Sequence, residues 1–409
     1  MMQPGSEQPH RQPLGRVGIA SASLTVMIAS TVWPFTFGVL APTLIDELAL
    51  TPSVFGIVYS VYYLSAVLGS PFVGNLADRL RFRSSILLMS VGTTVHLVLF
   101  AASRSILWLF LGAILAGVVM AAANPFTNSL IASSLKDGDV RLAVAVKQSG
   151  VPLSAVLVGW IVPLVTGWFS WRIGVISLLV FVVLSILTSV RVTGSGPMAD
   201  LGRKERHGPV DSTGLEVYAF MLGTVSAGIN GYLPLFANVE LAGSLARGGA
   251  LLAAFAAAGA FGRAFWSMLA RSGQTMRILT SLPAVGGLAL FGMAFTRYEP
   301  LVWLLVIVAG LTVMAWQGIG TLAIMDMRTR SIARTSGRML QYFYAGFVIG
   351  APLMGLVVDR SGYVAAWSML GTAALIAWAS MLGGRRRFRV VGSEDSGSED
   401  SGREESGVA

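Results

Sequence analysis

Twelve apolar runs, each close to the length of a bilayer-spanning helix, dominate this chain of 409 residues. A transmembrane helix needs about 20 such residues. The runs cover 17–41, 52–74, 84–102, 106–131, 142–166 and 170–190, then 215–238, 246–270, 276–296, 300–325, 337–358 and 363–383. They are continuous rather than alternating, which excludes a membrane β-barrel. The first run is too long, and too closely followed by others, to be a cleaved leader. Only 12% of residues are charged, against about 25% in a soluble domain, so the chain cannot cover a water-facing surface of this size. A soluble enzyme, a disordered protein and a disulfide scaffold are excluded together. The absence of cysteine removes thiol catalysis and thiolate metal sites. Three histidines, His10, His96 and His207, are too few and too scattered for a metal centre, so no metal and no cofactor are expected.

The net charge of +9 does not indicate nucleic acid, because the cations lie between the apolar runs. With the N-terminus placed in the cytoplasm, 22 of the 29 Lys and Arg fall in cytoplasmic segments, 5 in outer loops and two inside helices. That bias puts both termini on the cytoplasmic side of a plasma (inner) membrane. The expected organisation is a cytoplasmic tail (1–16), a six-helix bundle (17–190), a polar cytoplasmic linker (191–214), a second six-helix bundle (215–383) and a disordered tail (384–409). The linker has no apolar face to bury and is not a domain. The tail begins with the basic stretch RRRFR and ends acidic and Ser/Gly-rich, a composition that does not fold alone.

The two bundles echo each other. Gly150-Val151-Pro152-Leu153 in span 5 returns as Gly350-Ala351-Pro352-Leu353 in span 11, 200 positions later. Trp171 and Trp367 are 196 apart, and the ends of spans 2 and 8 match weakly at 193. Repeats of this kind characterise carriers that rock two halves about a midplane site. On these residues the chain resembles the major facilitator superfamily over roughly residues 15–385. The loop after span 2, GNLADRLRFR at 74–83, fits the family's pattern at Gly74, Leu76, Ala77, Asp78, Arg79 and Arg83, with Arg81 in place of a second glycine. KQSGVPL at 147–153 is similar to bacterial permeases of the family, including cyanate-permease-like members. The stretch 336–367 is similar to its spans 11 and 12. The resemblance implies an all-α membrane fold with 12 helices and pseudo-two-fold symmetry. It also implies that Gly74, Asp78, Arg79 and Arg83 gate the cytoplasmic side against span 11. The arginine that drug exporters carry in span 4 is absent here; Ala113 stands at that position.

Ionisable groups inside a bilayer are costly and point to function. No carboxylate falls at the centre of a run, whereas Lys147 in span 5 and Arg263 in span 8 lie inside helices. At 1.5 Å per residue they sit about 9 Å and about 12 Å from the cytoplasmic Arg141 and Arg271. In the fold that the resemblance implies, both spans line the seam between the halves, so the two cations could face one cavity. A pair of cations without internal acids suits an anion. Against this, Arg263 could bond loop carbonyls and Lys147 could reach the interface. Gln148, Asn124, Trp316, Gln317 and Tyr344 share that depth and complete the expected binding set. Gly150, Pro152, Gly350 and Pro352 are candidate flexing points, since proline frees a carbonyl and glycine permits close approach. Other polar or aromatic residues in the spans, including Trp33, Thr36, Tyr59, Tyr62, Tyr63, Asn128, Asn230 and Tyr232, read as interhelical packing groups. His96 reads as a satisfied packing histidine.

No nucleotide-binding loop or zinc signature is present, so any transport would run on a gradient. The expectation is a secondary transporter, working as a monomer in the lipid bilayer, for a small organic or inorganic anion. Protons are a candidate co-substrate. Export of amphipathic compounds, suited by the Ala/Gly-rich span 8, and a non-transporting sensor or scaffold are the alternatives. Enzyme activity is not expected.

Overall fold

The computed structural model describes residues 15–77, 80, 82–135, 137–190, 213–270, 274–326 and 332–400. Every described element is a helix. The first half comprises α1 (Arg16–Val39), α2 (Ala41–Glu47), α3 (Pro52–Ala77), α4 (Phe82–Ala101), α5 (Ile106–Ser134), α6 (Asp137–Gln148), α7 (Gly150–Trp168), α8 (Trp171–Ser177) and α9 (Leu179–Ser189). The second comprises α10 (Thr213–Glu240), α11 (Leu245–Leu269), α12 (Thr275–Phe295), α13 (Glu299–Ala309), a π-turn (Gly310–Met314), α14 (Trp316–Asp326) and α15 (Ile332–Asp400).

Eleven of these stretches are long and apolar enough to span a membrane. The last carries two of the twelve expected spans: Gly362, at φ 74° and ψ −177°, breaks the helix that joins them. Only glycine adopts that backbone freely, so one residue turns span 11 into span 12. Span 1 ends at Val39, and the short α2 follows it. Spans 5 and 6 run on through Ser149 and Leu178, which keep helical backbone angles (φ −69°, ψ −13° and φ −68°, ψ −11°), while span 10 widens into the π-turn.

We call the end at which α1 starts the tail face, and the other the distal face. The halves meet through α3 with α15, α7 with α11, and α1 with α10. A large core cluster, including Trp33, Phe37, Phe55, Tyr232, Phe236 and Trp367, runs through both halves. A second cluster, including Ile19, Val26, Ile86, Phe126 and Leu130, is confined to the tail-side part of the first half. The first cluster therefore joins the halves, while the second stays inside one of them. Small residues let backbones meet at that joint, as is usual between membrane helices. A Cβ on Gly249 of α11 would lie 2.3 Å from the Gly159 carbonyl oxygen of α7.

Candidate functional site

Lys147 is completely buried. Its Nζ donates to Oδ1 of Asn124 at 3.0 Å and to Oδ1 of Asn128 at 2.5 Å. The two asparagines stand four residues apart on α5 and so share one helix face. An ammonium has three donors, so this clamp leaves one unused. Both acceptors are neutral amides, and among the described residues no carboxylate pairs with Lys147. A buried charge held without a counter-ion costs several kcal/mol, so an anion arriving here has a strong electrostatic reason to bind. Asn124 is half-buried and Asn128 exposed, which leaves the clamp open to the tail-side space. Gln148 does not join it. It is exposed rather than buried, because each helical residue advances about 100° and the neighbour of Lys147 faces elsewhere.

Arg263 is half-buried on α11. Its Nε donates to the Met314 carbonyl at 3.2 Å, and Trp266, one turn along, donates from Nε1 to the Leu311 carbonyl at 2.7 Å. Both acceptors belong to the π-turn of span 10. A π-turn widens the helix and displaces its carbonyls from the ordinary ladder; two side chains of α11 satisfy them. The terminal nitrogens of Arg263 make no hydrogen bond or ion pair with any described residue. Lys147 and Arg263 are thus held separately, one by the first half and one by the second, each with donors to spare. They do not touch each other.

An aromatic wall crosses the seam. Trp316 packs edge-on against Tyr218 (5.7 Å) and Phe343 (5.2 Å); Tyr344 lies 6.1 Å from Tyr63, and Tyr63 lies 4.2 Å from Phe347. Trp316 is 4% exposed, so it forms the wall's interior rather than an open surface, and its indole nitrogen is buried without a partner. Tyr344 is half-buried and stands at the wall's edge. Gln317 is half-buried and engaged by a neighbour.

Distal to this wall the seam is closed. Ser60 Oγ donates to the Val348 carbonyl at 2.5 Å, and the Tyr232 hydroxyl reaches the carbonyls of Pro52 and Ala351 at 2.8 and 3.0 Å. The Ser53 amide donates to Asp359 Oδ2 at 2.9 Å. Toward the tail face, Asn128, Gln148, Gln341 and Tyr342 are exposed. The hydrogen bonds named above that join the halves thus lie on the distal side.

Of the expected gating residues, Asp78 and Arg79 lie outside the described residues. Gly74 is half-buried with open space where a Cβ would stand, and Arg83 is exposed. Among the flexing candidates, the backbone stays helical through Ser149, beside Gly150 and Pro152, and runs unbroken through Gly350 and Pro352. Gly350 serves close approach instead: a Cβ there would lie 2.6 Å from Thr224 Cα. His96 is fully buried, but neither ring nitrogen has a partner, so it is a packing residue and not a satisfied one. Among the described residues no three His, Cys, Asp or Glu gather as a metal site. The sequence reading missed Trp266, Phe347, Ser53 and Asp359. The Asp359-Arg360 pair near the end of span 11 repeats the Asp78-Arg79 pair at the end of span 2, and that repeat was the available signal.

The family model described as Major Facilitator Superfamily matches residues 21–340. A curated relative, the class B tetracycline resistance protein of Escherichia coli, is 30% identical over 99 residues. That match spans 24% of this chain and 23% of the relative. Among solved structures, a bacterial homologue of the human lysosomal transporter Spinster, inward-facing and occupied, aligns with TM-score 0.72 and 16% identity over 91% of this chain and 96% of its own. The nucleoside transporter NupG (D323A mutant) aligns at 0.70 and 13% identity, covering 90% and 99%. The human organic anion transporter MFSD10 aligns at 0.65 and 13% identity, covering 91% and 100%. At these identities the likeness is one of fold.

Proposed function

The chain belongs to the Major Facilitator Superfamily, whose members are secondary transporters, and from that premise we propose that it carries a small anion, organic or inorganic, by alternating access. The observation behind this reading is the Lys147 clamp. A buried ammonium is held by the amide oxygens of Asn124 and Asn128 at 3.0 and 2.5 Å, with one donor unused and, among the described residues, no carboxylate to neutralise it. Arg263 supplies a second cation from the other half, anchored through Nε to Met314 with its terminal nitrogens unengaged. An anion bridging the two would offset both desolvation costs and draw the tail-side mouth together, as occlusion requires. Tyr344 and Trp316 would stand over the bound solute. Asp78 and Arg79 would latch the mouth once closed.

The cation bias between loops supports a plasma-membrane protein with cytoplasmic termini. The tail face would then be cytoplasmic and the closed distal face outward. The protein would act as a monomer, with protons as a candidate co-substrate. A second reading, export of amphipathic compounds, rests on the short match to a tetracycline resistance protein.

The test is thermal unfolding of the detergent-purified chain with small carboxylates, inorganic oxyanions, lipophilic cations and neutral drugs. A ligand at about 100 times its dissociation constant adds about 2.7 kcal/mol of stability. We expect an anion to stabilise the protein, and Lys147→Met to remove that shift while the unliganded variant still melts cooperatively. Stabilisation by lipophilic cations or neutral drugs alone, intact in Lys147→Met, would overturn the anion reading in favour of export.

A further inference from the structure

Among the described residues, four carboxylates on the distal face have partners there, and three of them stay within their own half. Glu47 pairs with Arg172 at 2.5 Å, Glu240 with Arg297 at 2.6 Å and Glu299 with Arg247 at 3.1 Å. Asp359 is different. It sits on α15, in the second half, and accepts from both the backbone N–H (2.9 Å) and the hydroxyl of Ser53, in the first half.

Ser53 is the second residue of α3 (Pro52–Ala77). The first turn of a helix has amides without intrahelical acceptors. Here Pro52 has no N–H to offer, and Val54 donates to the Thr51 hydroxyl at 3.2 Å. The Ser53 amide is therefore the group that α3 and its own N-terminal flank leave uncapped, and a residue of the opposite half caps it. The carboxylate also meets the positive end of the α3 dipole. The backbones are close at this point: a Cβ on Gly355, one turn before Asp359, would lie 2.3 Å from the Pro52 carbonyl oxygen. The tie cannot survive separation of α3 from α15 at this end.

We propose that Asp359 is the charged latch of the distal mouth, which caps the α3 N-terminus when that mouth is shut and lets go when it opens. The inference rests on the alternating-access reading above and adds to it a residue that holds one of its two states. Spans 2 and 11 then carry one acid each near opposite ends: Asp359 faces the start of span 2, and Asp78 stands where span 2 ends.

The chain contains no cysteine, so a single introduced thiol reports alone. Gly231→Cys suits this purpose, because a Cβ there faces Phe55 and Tyr59 across the seam at 3.8 and 3.9 Å. Its labelling by a membrane-impermeant maleimide from the distal side reads opening of the mouth. Removing a helix cap shifts such an equilibrium roughly two- to thirtyfold, and Asp359→Ala should raise the labelling rate within that range. Asp359→Asn, which keeps an acceptor but not the charge, should raise it less. Glu240→Gln, which breaks a pair inside one half, should leave it at the parent rate. Gly249→Ala, a steric wedge in the same seam, should raise it independently of Asp359.

Labelling at the parent rate in Asp359→Ala, with Gly249→Ala accelerated, would overturn the latch and leave alternating access standing. Failure of both to accelerate would overturn the alternating-access reading along with it. If Asp359→Ala does not fold, Asp359→Asn carries the same comparison, and its labelling at the parent rate overturns the latch.

Discussion

Gly249→Ala should push the protein out of its distal-closed state. The added methyl would lie 2.3 Å from the Gly159 carbonyl oxygen and 2.8 Å from Pro163 Cγ. Carbon and oxygen settle at about 3.3–3.6 Å, so α7 and α11 must separate by roughly 1 Å at this point. Forcing a methyl into a packed contact costs roughly 1–3 kcal/mol, which is a bias of about 5- to 150-fold between two states. The cost falls on one state only, because α7 and α11 part at this end when the distal mouth opens.

The assay is a distance measurement between paired spin labels on the cysteine-free chain. One pair sits at the exposed distal positions Phe169 and Val239, the other at the tail-side positions Leu142 and Leu340. In Gly249→Ala the distal distance should lengthen and the tail-side distance shorten. Gly92→Ala is the control. Its methyl would lie 2.6 Å from Val119 Cγ2, inside the first half, at a contact that both states retain. It should lower the melting temperature and leave both distances unchanged. Unchanged distances in Gly249→Ala with a lowered melting temperature would refute the reasoning, since the seam would then be a fixed interface rather than a gate.

Trp266→Phe keeps an aromatic ring but leaves the Leu311 carbonyl of the π-turn unpaired; it should cost about 1 kcal/mol in chemical unfolding, more than Trp303→Phe, whose N–H reaches Glu299 only at 3.4 Å. His96→Leu removes a buried ring whose two nitrogens have no partners, so its melting temperature should stay level or rise; a fall would mean that His96 has a polar role. At the distal loops, the hydrogen bond from Arg172 holds the Glu47 carboxyl below its usual pKa, with desolvation partly opposing. A depressed carboxylate stabilises the fold above the unfolded value of about 4.3 and loses that contribution as pH falls through the folded value. Both partners are over a third exposed, so the pair is worth at most about 1 kcal/mol. The melting temperature of the parent should therefore drop on acidification slightly more than that of Glu47→Gln, and identical acid profiles would remove the pair from the stability account.

The spans and the two-half organisation were legible in the sequence. Span length and hydropathy are properties of consecutive residues, and a bilayer requires each run to satisfy its own backbone. What each side chain meets was not legible. Lys147 and its neighbour Gln148 are one residue apart, yet one is fully buried between two asparagines and the other is exposed. That difference is set by how α6 is rotated against α5, which no local pattern records. Likewise Arg263 was legible as an intramembrane cation, but its carbonyl partner exists only because span 10 widens into a π-turn. Asp359 read as a loop-end acid until the tertiary structure set it on the N-terminus of a helix 306 residues away. Contacts of that kind are decided by where the second half docks on the first, and only the assembled pair of bundles contains that information.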